Sequence, residues 1–276
     1  MIQVSIMTVF ILSSLTACED EDTGSENEET QSEQAISDEA LADDLFEDMD
    51  EISMEAATYE ENARMEGSVL NSLNCVSRTI ERENPNSLSK RVTLTFSDGC
   101  EDASGRVRSG SIIVNHSIDF TSATYSVSTT FEDFYVNGHQ IEGTRSLVYA
   151  SDGKNLISAT ITLTNGKISL TDGSTITRNG SFTKMINHEL GEVSLSGSAS
   201  GVNRNGISYI SEITRPLVYK VACASDGIFM ASSGNKSISR AGRKTLELDY
   251  GDGICDRSLT LSADGVERTL EITINK

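Results

Sequence analysis

Thr124-Tyr-Ser-Val-Ser-Thr-Thr-Phe-Glu-Asp-Phe-Tyr-Val136, then Asn137-Gly138, then Gln140-Ile-Glu-Gly-Thr-Arg-Ser-Leu-Val-Tyr149 is the stretch on which the fold turns. Both flanking runs are rich in β-branched and aromatic residues and alternate in polarity, the period of a half-buried strand. Asn-Gly tolerates positive φ at both central positions of a type I′ turn, so the two runs read as one hairpin. The same grammar continues outward. Asp152-Gly153, Asn165-Gly166, Asp172-Gly173, Asn179-Gly180, Asn205-Gly206 and Asp264-Gly265 punctuate runs such as Leu156 to Leu163, Thr175 to Ile186 and Ile207 to Val221. Earlier and later runs, Arg91 to Phe96, Ser111 to Val114 and Thr269 to Ile274, alternate as well. The two prolines, Pro85 and Pro216, leave the strand interiors almost free of that residue, as a hydrogen-bonded ladder requires. The spacing predicts an all-β domain, an antiparallel meander of about 11–12 strands closing as a sandwich, a barrel or a half-barrel.

Charge divides the chain. Residues 19–66 hold 20 of the 42 acidic residues and one basic residue, Arg64, for a net −19. The remaining 22 acidic and 21 basic residues leave 67–276 at −1. A near-neutral domain without a basic stripe argues against nucleic-acid binding. Glu19 to Gln34 has almost no apolar side chain and is expected to be a disordered, charge-extended tether. From residue 36 to 66 the character changes. Ile36, Leu41, Leu45, Met49 and Ile52 recur among Asp and Glu, with no Pro or Gly before Gly67, which predicts an acidic amphipathic helix packed on the domain. Ser37 is a partial N-cap for it.

Residues 1–17 (MIQVSIMTVFILSSLTA) carry no charged side chain, and the apolar run Ile6 to Leu15 is too short to cross a bilayer, which takes roughly 20 residues. It has the length of a signal-peptide core. Leu15-Thr16-Ala17-Cys18 resembles the bacterial lipobox. The resemblance implies a signal peptide over 1–17, cleavage before Cys18, and lipidation of the Cys18 thiol and α-amine with palmitate-type chains. A lipidated acidic tether over 18–35 would follow. The n-region departs from the pattern in lacking Lys or Arg. Glu19-Asp20-Glu21-Asp22 resembles the acidic surface-export signal of Bacteroidota lipoproteins, which implies an outer-membrane protein facing the cell surface.

Four cysteines remain, Cys75, Cys100, Cys223 and Cys255, in a compartment that permits disulfides. Four allow three connectivities. A weak internal repeat of Cys, loop, strand, Asp-Gly and Cys favours Cys75–Cys100 and Cys223–Cys255. No Cys-x-x-Cys spacing supports zinc. The histidines His116, His139 and His188 have no ligand spacing and read as surface or turn residues. The turns Asp98-Gly-Cys-Glu101-Asp102 and Asp249-Tyr-Gly-Asp252-Gly-Ile-Cys-Asp256 are acidic, but the EF-hand spacing is absent. Glycosidase chemistry would need two facing carboxylates; Glu132, Asp133, Glu142 and Glu212 are available without a pair being singled out. No catalytic residue, metal ligand or cofactor is therefore expected.

Asp98-Gly-Cys100, Gly105-Arg-Val-Arg-Ser-Gly110, Asn203-Arg-Asn-Gly-Ile-Ser-Tyr209 and Asp249-Tyr-Gly-Asp-Gly253 give 67–276 a loose resemblance to uncharacterised lipoproteins of Bacteroidota. That implies location and a β fold but no activity. The functional expectation is a membrane-anchored lipoprotein, not an enzyme, displaying a β-rich binding or structural module for a protein, glycan or lipid ligand. A carrier of an apolar ligand in an open half-barrel closed by the helix is the first alternative. A surface enzyme acting on glycans is the second.

Overall fold

The computed structural model describes residues 22–58, 74–84, 87–103, 105–226, 228 and 230–271, with helix side chains described from Thr30 onward. One long helix, α1 (Asp22–Thr58), precedes the strands. They are β1 (Val76–Glu81), β2 (Lys90–Glu101), β3 (Val107–Asp119), β4 (Thr124–Val136), β5 (His139–Ser151), β6 (Leu156–Ser169), β7 (Thr175–Asn187), β8 (Glu192–Val202) and β9 (Ser208–Lys220). A short helix, α2 (Val221–Ser225), leads to β10 (Ser233–Arg240), β11 (Leu246–Asp252), β12 (Ser258–Ala263) and β13 (Val266–Glu271). The strands form one 13-stranded sheet in strict sequence order, every neighbouring pair antiparallel. The sheet is open: β1 and β13 are its edges and do not meet. Of the three closures the sequence allowed, the structure takes the unclosed one.

Binary pattern sets the two faces. Ser128, Ser146, Thr162, Ser181 and Ser198 are Cα partners along one row and form a hydroxyl-bearing outer face. The next row, Val127, Leu147, Ile161 and Phe182, is buried on the inner face. The inner face must be concave. Ala35 and Ile36 of α1 share a core cluster with Leu259 and Leu261 of β12, while Ser53 bonds Thr129 of β4. Those helix positions are roughly 26 Å apart along α1. Eight strand spacings laid flat would span roughly 38 Å. Both ends of the helix reach their strands because the sheet wraps around it.

Bulges supply the bend. Registers slip between Ser109 and Ser111, between Thr130 and Phe134, and between Leu195 and Gly197. At Gly110 (φ 85°) a Cβ would fall inside the Asp133 carbonyl of the next strand. Asp133 itself sits at φ 44°. An extra residue at such positions increases local twist and bends the strand.

The helix differs from its sequence-based bounds. It begins at Asp22, inside the stretch that composition assigns to a disordered tether, and its described length ends at Thr58. Docking then reaches back to Ser32 and Glu33, which contact Arg240 and Arg268. The expected stripe holds: Ile36, Leu45, Met49 and Ile52 are buried, joined by Ala42, Phe46, Ala56 and Ala57.

Two disulfides staple the sheet, Cys75–Cys100 and Cys223–Cys255. Both are the pairs favoured by the repeat, though their settings differ. The first joins the start of β1 to β2; the second joins α2 to the β11–β12 loop, past β10. Asp98-Gly99 lies within β2 and is not a turn between strands.

Candidate functional site

The inner face of the sheet is a trough, and its walls are cationic. Arg108 stands on β3, Arg145 on β5, Arg178 on β7 and Lys236 on β10, all at positions that alternate in phase with the apolar core residues of their strands. All four are buried. Each meets α1. Arg178 donates to Glu39 at 2.5 Å and to Asp43 at 2.6 Å. Lys236 lies 2.8 Å from the other Glu39 oxygen and donates to Asp43 at 2.7 Å. Two cations and two carboxylates thus close a ring across β7, β10 and the helix. Arg145 clasps Asp50 with Nε and Nη2, at 2.8 and 2.7 Å. Arg108 clasps Asp48 at 2.7 and 2.8 Å and also donates to Asp102 at 2.5 Å. Arg204, in the β8–β9 turn, donates to Asp38 at 2.6 Å.

The electrostatics follow from that pairing. Burial alone would raise the Glu39 carboxyl, but Lys236 and Arg178 outweigh it and hold it down at about 2. Burial would likewise favour a neutral Lys236; Asp43 and Glu39 reverse this and hold its ammonium charged. Tyr209, beside this ring, has its phenol pushed up to about 12, chiefly by burial. Isolated charges here would be costly to desolvate, so helix and trough are each other's neutralising partner.

The sequence reading missed this trough. It expected no basic stripe, because the charge count for 67–276 is near zero. Net charge does not see sorting: the cations are drawn inward and the carboxylates of the same segment stay mostly at turns and on the outer face. The available signal was parity. A basic residue in phase with apolar ones, as Arg178 is with Ile176 and Lys236 with Ile238, marks a charge turned toward the core.

With α1 seated, the trough is packed. Among the described residues, two voids between helix and sheet hold about 20 Å³ beside Phe46, Ile161 and Phe182, and about 10 Å³ beside Tyr209 and Ile238. An apolar carrier site would need roughly 300 Å³ or more. Neither of these two voids reaches that size.

The other candidates do not converge. Glu142 is taken by Lys167 at 2.6 Å, and Glu212 lies on the outer face of β9, four strands away from β5. His116 is buried against the Tyr125 ring, 4.6 Å between centroids. His139 starts β5, its imidazole pushed down by burial and by Arg204. His188 is exposed in the β7–β8 turn. Asp249, Asp252 and Asp256 line a recess of about 190 Å³, but Asp249 accepts from the Gly251 amide and Asp256 from the Ser258 amide, as turn caps. Among the described residues no three His, Cys, Asp or Glu side chains are placed to hold a metal ion. Cys18 lies outside the described residues.

Compared with known proteins, the chain matches no family model, no curated protein and no solved structure.

Proposed function

We propose that this chain is a lipoprotein held in the outer membrane through lipid on Cys18, displayed at the cell surface, and that its sheet is a non-catalytic binding or structural module. The observation that supports this reading is continuity. The helix begins at Asp22, four residues past Cys18, and the trough grips it from Ser32 to Ser53. An anchor at Cys18 would hold the sheet through this clamped element and not through a slack tether alone. No described helix is long and apolar enough to cross a membrane, and α1 is acidic throughout its length. The ligand class, protein, glycan or lipid, belongs to the module's exposed surfaces, because the trough is already filled.

Metabolic labelling with palmitate, followed by membrane fractionation, tests the anchor. The expected result is a labelled, membrane-bound chain whose label and membrane association both disappear in Cys18→Ser. Label that persists in that variant would overturn the reading. Protease shaving of intact cells tests the facing side: loss of the sheet domain from unbroken cells is the surface outcome, and protection until lysis is the periplasmic one.

A further inference from the structure

The exposed apolar side chains of the sheet are sorted toward one end. In a meander, successive turns alternate between the two ends of the strands. One end carries the β1–β2, β3–β4, β5–β6, β7–β8, β9–β10 and β11–β12 connections. Five of these six lift a large apolar side chain into solvent: Leu88, Phe120, Leu190, Val221 and Ile254, which are 56% to 77% exposed. The sixth carries Lys154. The opposite end is built from polar turns such as Asn137-Gly138, Asp172-Gly173 and Asn205-Gly206; among its described residues only Val107 and Val266 are large, apolar and exposed. The inner face shows the same asymmetry. Val136, Ile141, Leu170 and Ile176, near the polar turns, share a core cluster with α1. Tyr125, Tyr149, Ile186, Val193 and Tyr219, near the apolar fringe, are only partly buried.

We infer that the apolar end of the sheet docks on a zwitterionic lipid bilayer, its five tips entering the interfacial layer. The spacing selects the partner. Neighbouring loops at one end lie two strand spacings apart, roughly 10 Å. A rigid protein surface would need a separate hole for each tip, whereas a fluid interface admits each one independently. Charge selects the lipid. Around the fringe, carboxylates such as Asp119, Asp152, Glu189 and Asp256 outnumber cations such as Lys154 and Arg257, so an anionic surface would repel it. The inference draws on the anchored reading only for the presence of a nearby bilayer; the docking contacts do not include Cys18.

The test is hydroxyl-radical footprinting of the full chain, free and on phosphatidylcholine–phosphatidylethanolamine vesicles. Oxidation of Phe120, Leu190 and Ile254 is expected to fall several-fold on vesicles, while Val148 and Ile210 on the outer face and Val266 at the far end stay unchanged. Full oxidation of the three tips on a chain that sediments with vesicles would overturn the docking and leave the anchor standing. Protection that survives in Cys18→Ser supports the docking whatever becomes of the anchor. A second variant, Phe120→Ser with Leu190→Ser and Ile254→Ser placed in the Cys18→Ser background so that no anchor holds the chain, changes only exposed positions of the sheet domain; each loss should weaken vesicle binding by about tenfold. Unaltered vesicle binding by that triple variant would also overturn the docking.

Discussion

At Arg178 the competing terms can be followed one by one. Its guanidinium is nearly fully buried, which opposes the charge, and two carboxylates of α1 oppose the burial. Removing Arg178 leaves Glu39 charged, buried and short of one partner. Arg178→Met is therefore expected to cost about 3–5 kcal/mol in urea unfolding followed by circular dichroism. Adding Glu39→Gln should recover part of that loss, because the second change removes one of the stranded charges. A double variant as costly as the sum of the two singles would mean that Glu39 and Arg178 do not act as a pair. Glu39 also fixes a pH window. Its folded carboxyl, at about 2, lies below the ordinary 4.5, so the proton binds more tightly when the chain is unfolded. Its contribution is complete above about 4.5 and drains away as the pH falls toward 2. Acid titration of α1 docking should show a loss in that interval, and Glu39→Gln should flatten it.

At the scale of elements, sequence and structure agree where period alone decides and part where partners decide. The hairpins around Asn137-Gly138 and Asp172-Gly173 were legible because turn and strand patterns agree locally. The stripe from Ile36 to Ile52 was legible for the same reason. The start of α1 was not. Glu19 to Gln34 lacks apolar residues, and its helical part is organised by cations on β10 and β13, over 200 residues away in sequence. The last turn of α1 contains no basic residue to meet the dipole, and cations of the sheet such as Arg106, Arg108 and Arg145 stand near that half instead. β1 and β10 were not singled out because Ser, Asn, Lys and Arg break up their apolar alternation, which leaves the expected 11–12 strands short of the 13 observed. The helix should thus depend on the sheet for its order more than the sheet depends on the helix. Phe46→Ala, at a side chain only 2% exposed, should cost about 3–5 kcal/mol. Limited proteolysis should then cut α1 while the fragment holding β2 to β9 resists. Simultaneous loss of both would show that helix and sheet form one cooperative unit.

For the whole molecule, the open sheet raises the question of what holds its two unpaired sides. β2 to β9 are mostly 11 to 14 residues long, bonded on both sides, and several of them are packed on α1. β1, β12 and β13 have six residues each, and β1 and β13 are bonded on one side only. Short edge strands discourage pairing with other chains but are held weakly. The disulfides sit at these weaker regions. Cys75–Cys100 ties β1 to β2, and Cys223–Cys255 gathers α2 and the β11–β12 loop across β10. Their sequence separations of 25 and 32 correspond to about 3.5 kcal/mol each in the chain-entropy view. Neither bridge includes α1, so reduction should leave the trough and its ion pairs intact. Hydrogen exchange under reductant should therefore quicken first in β1, α2 and β12, while the amides of β5 to β7 keep their protection. A uniform rise across all strands would instead make the bridges supports of the whole sheet. That outcome would place the stability of the centre in its edges and not in the clasp of an acidic helix by a cationic trough.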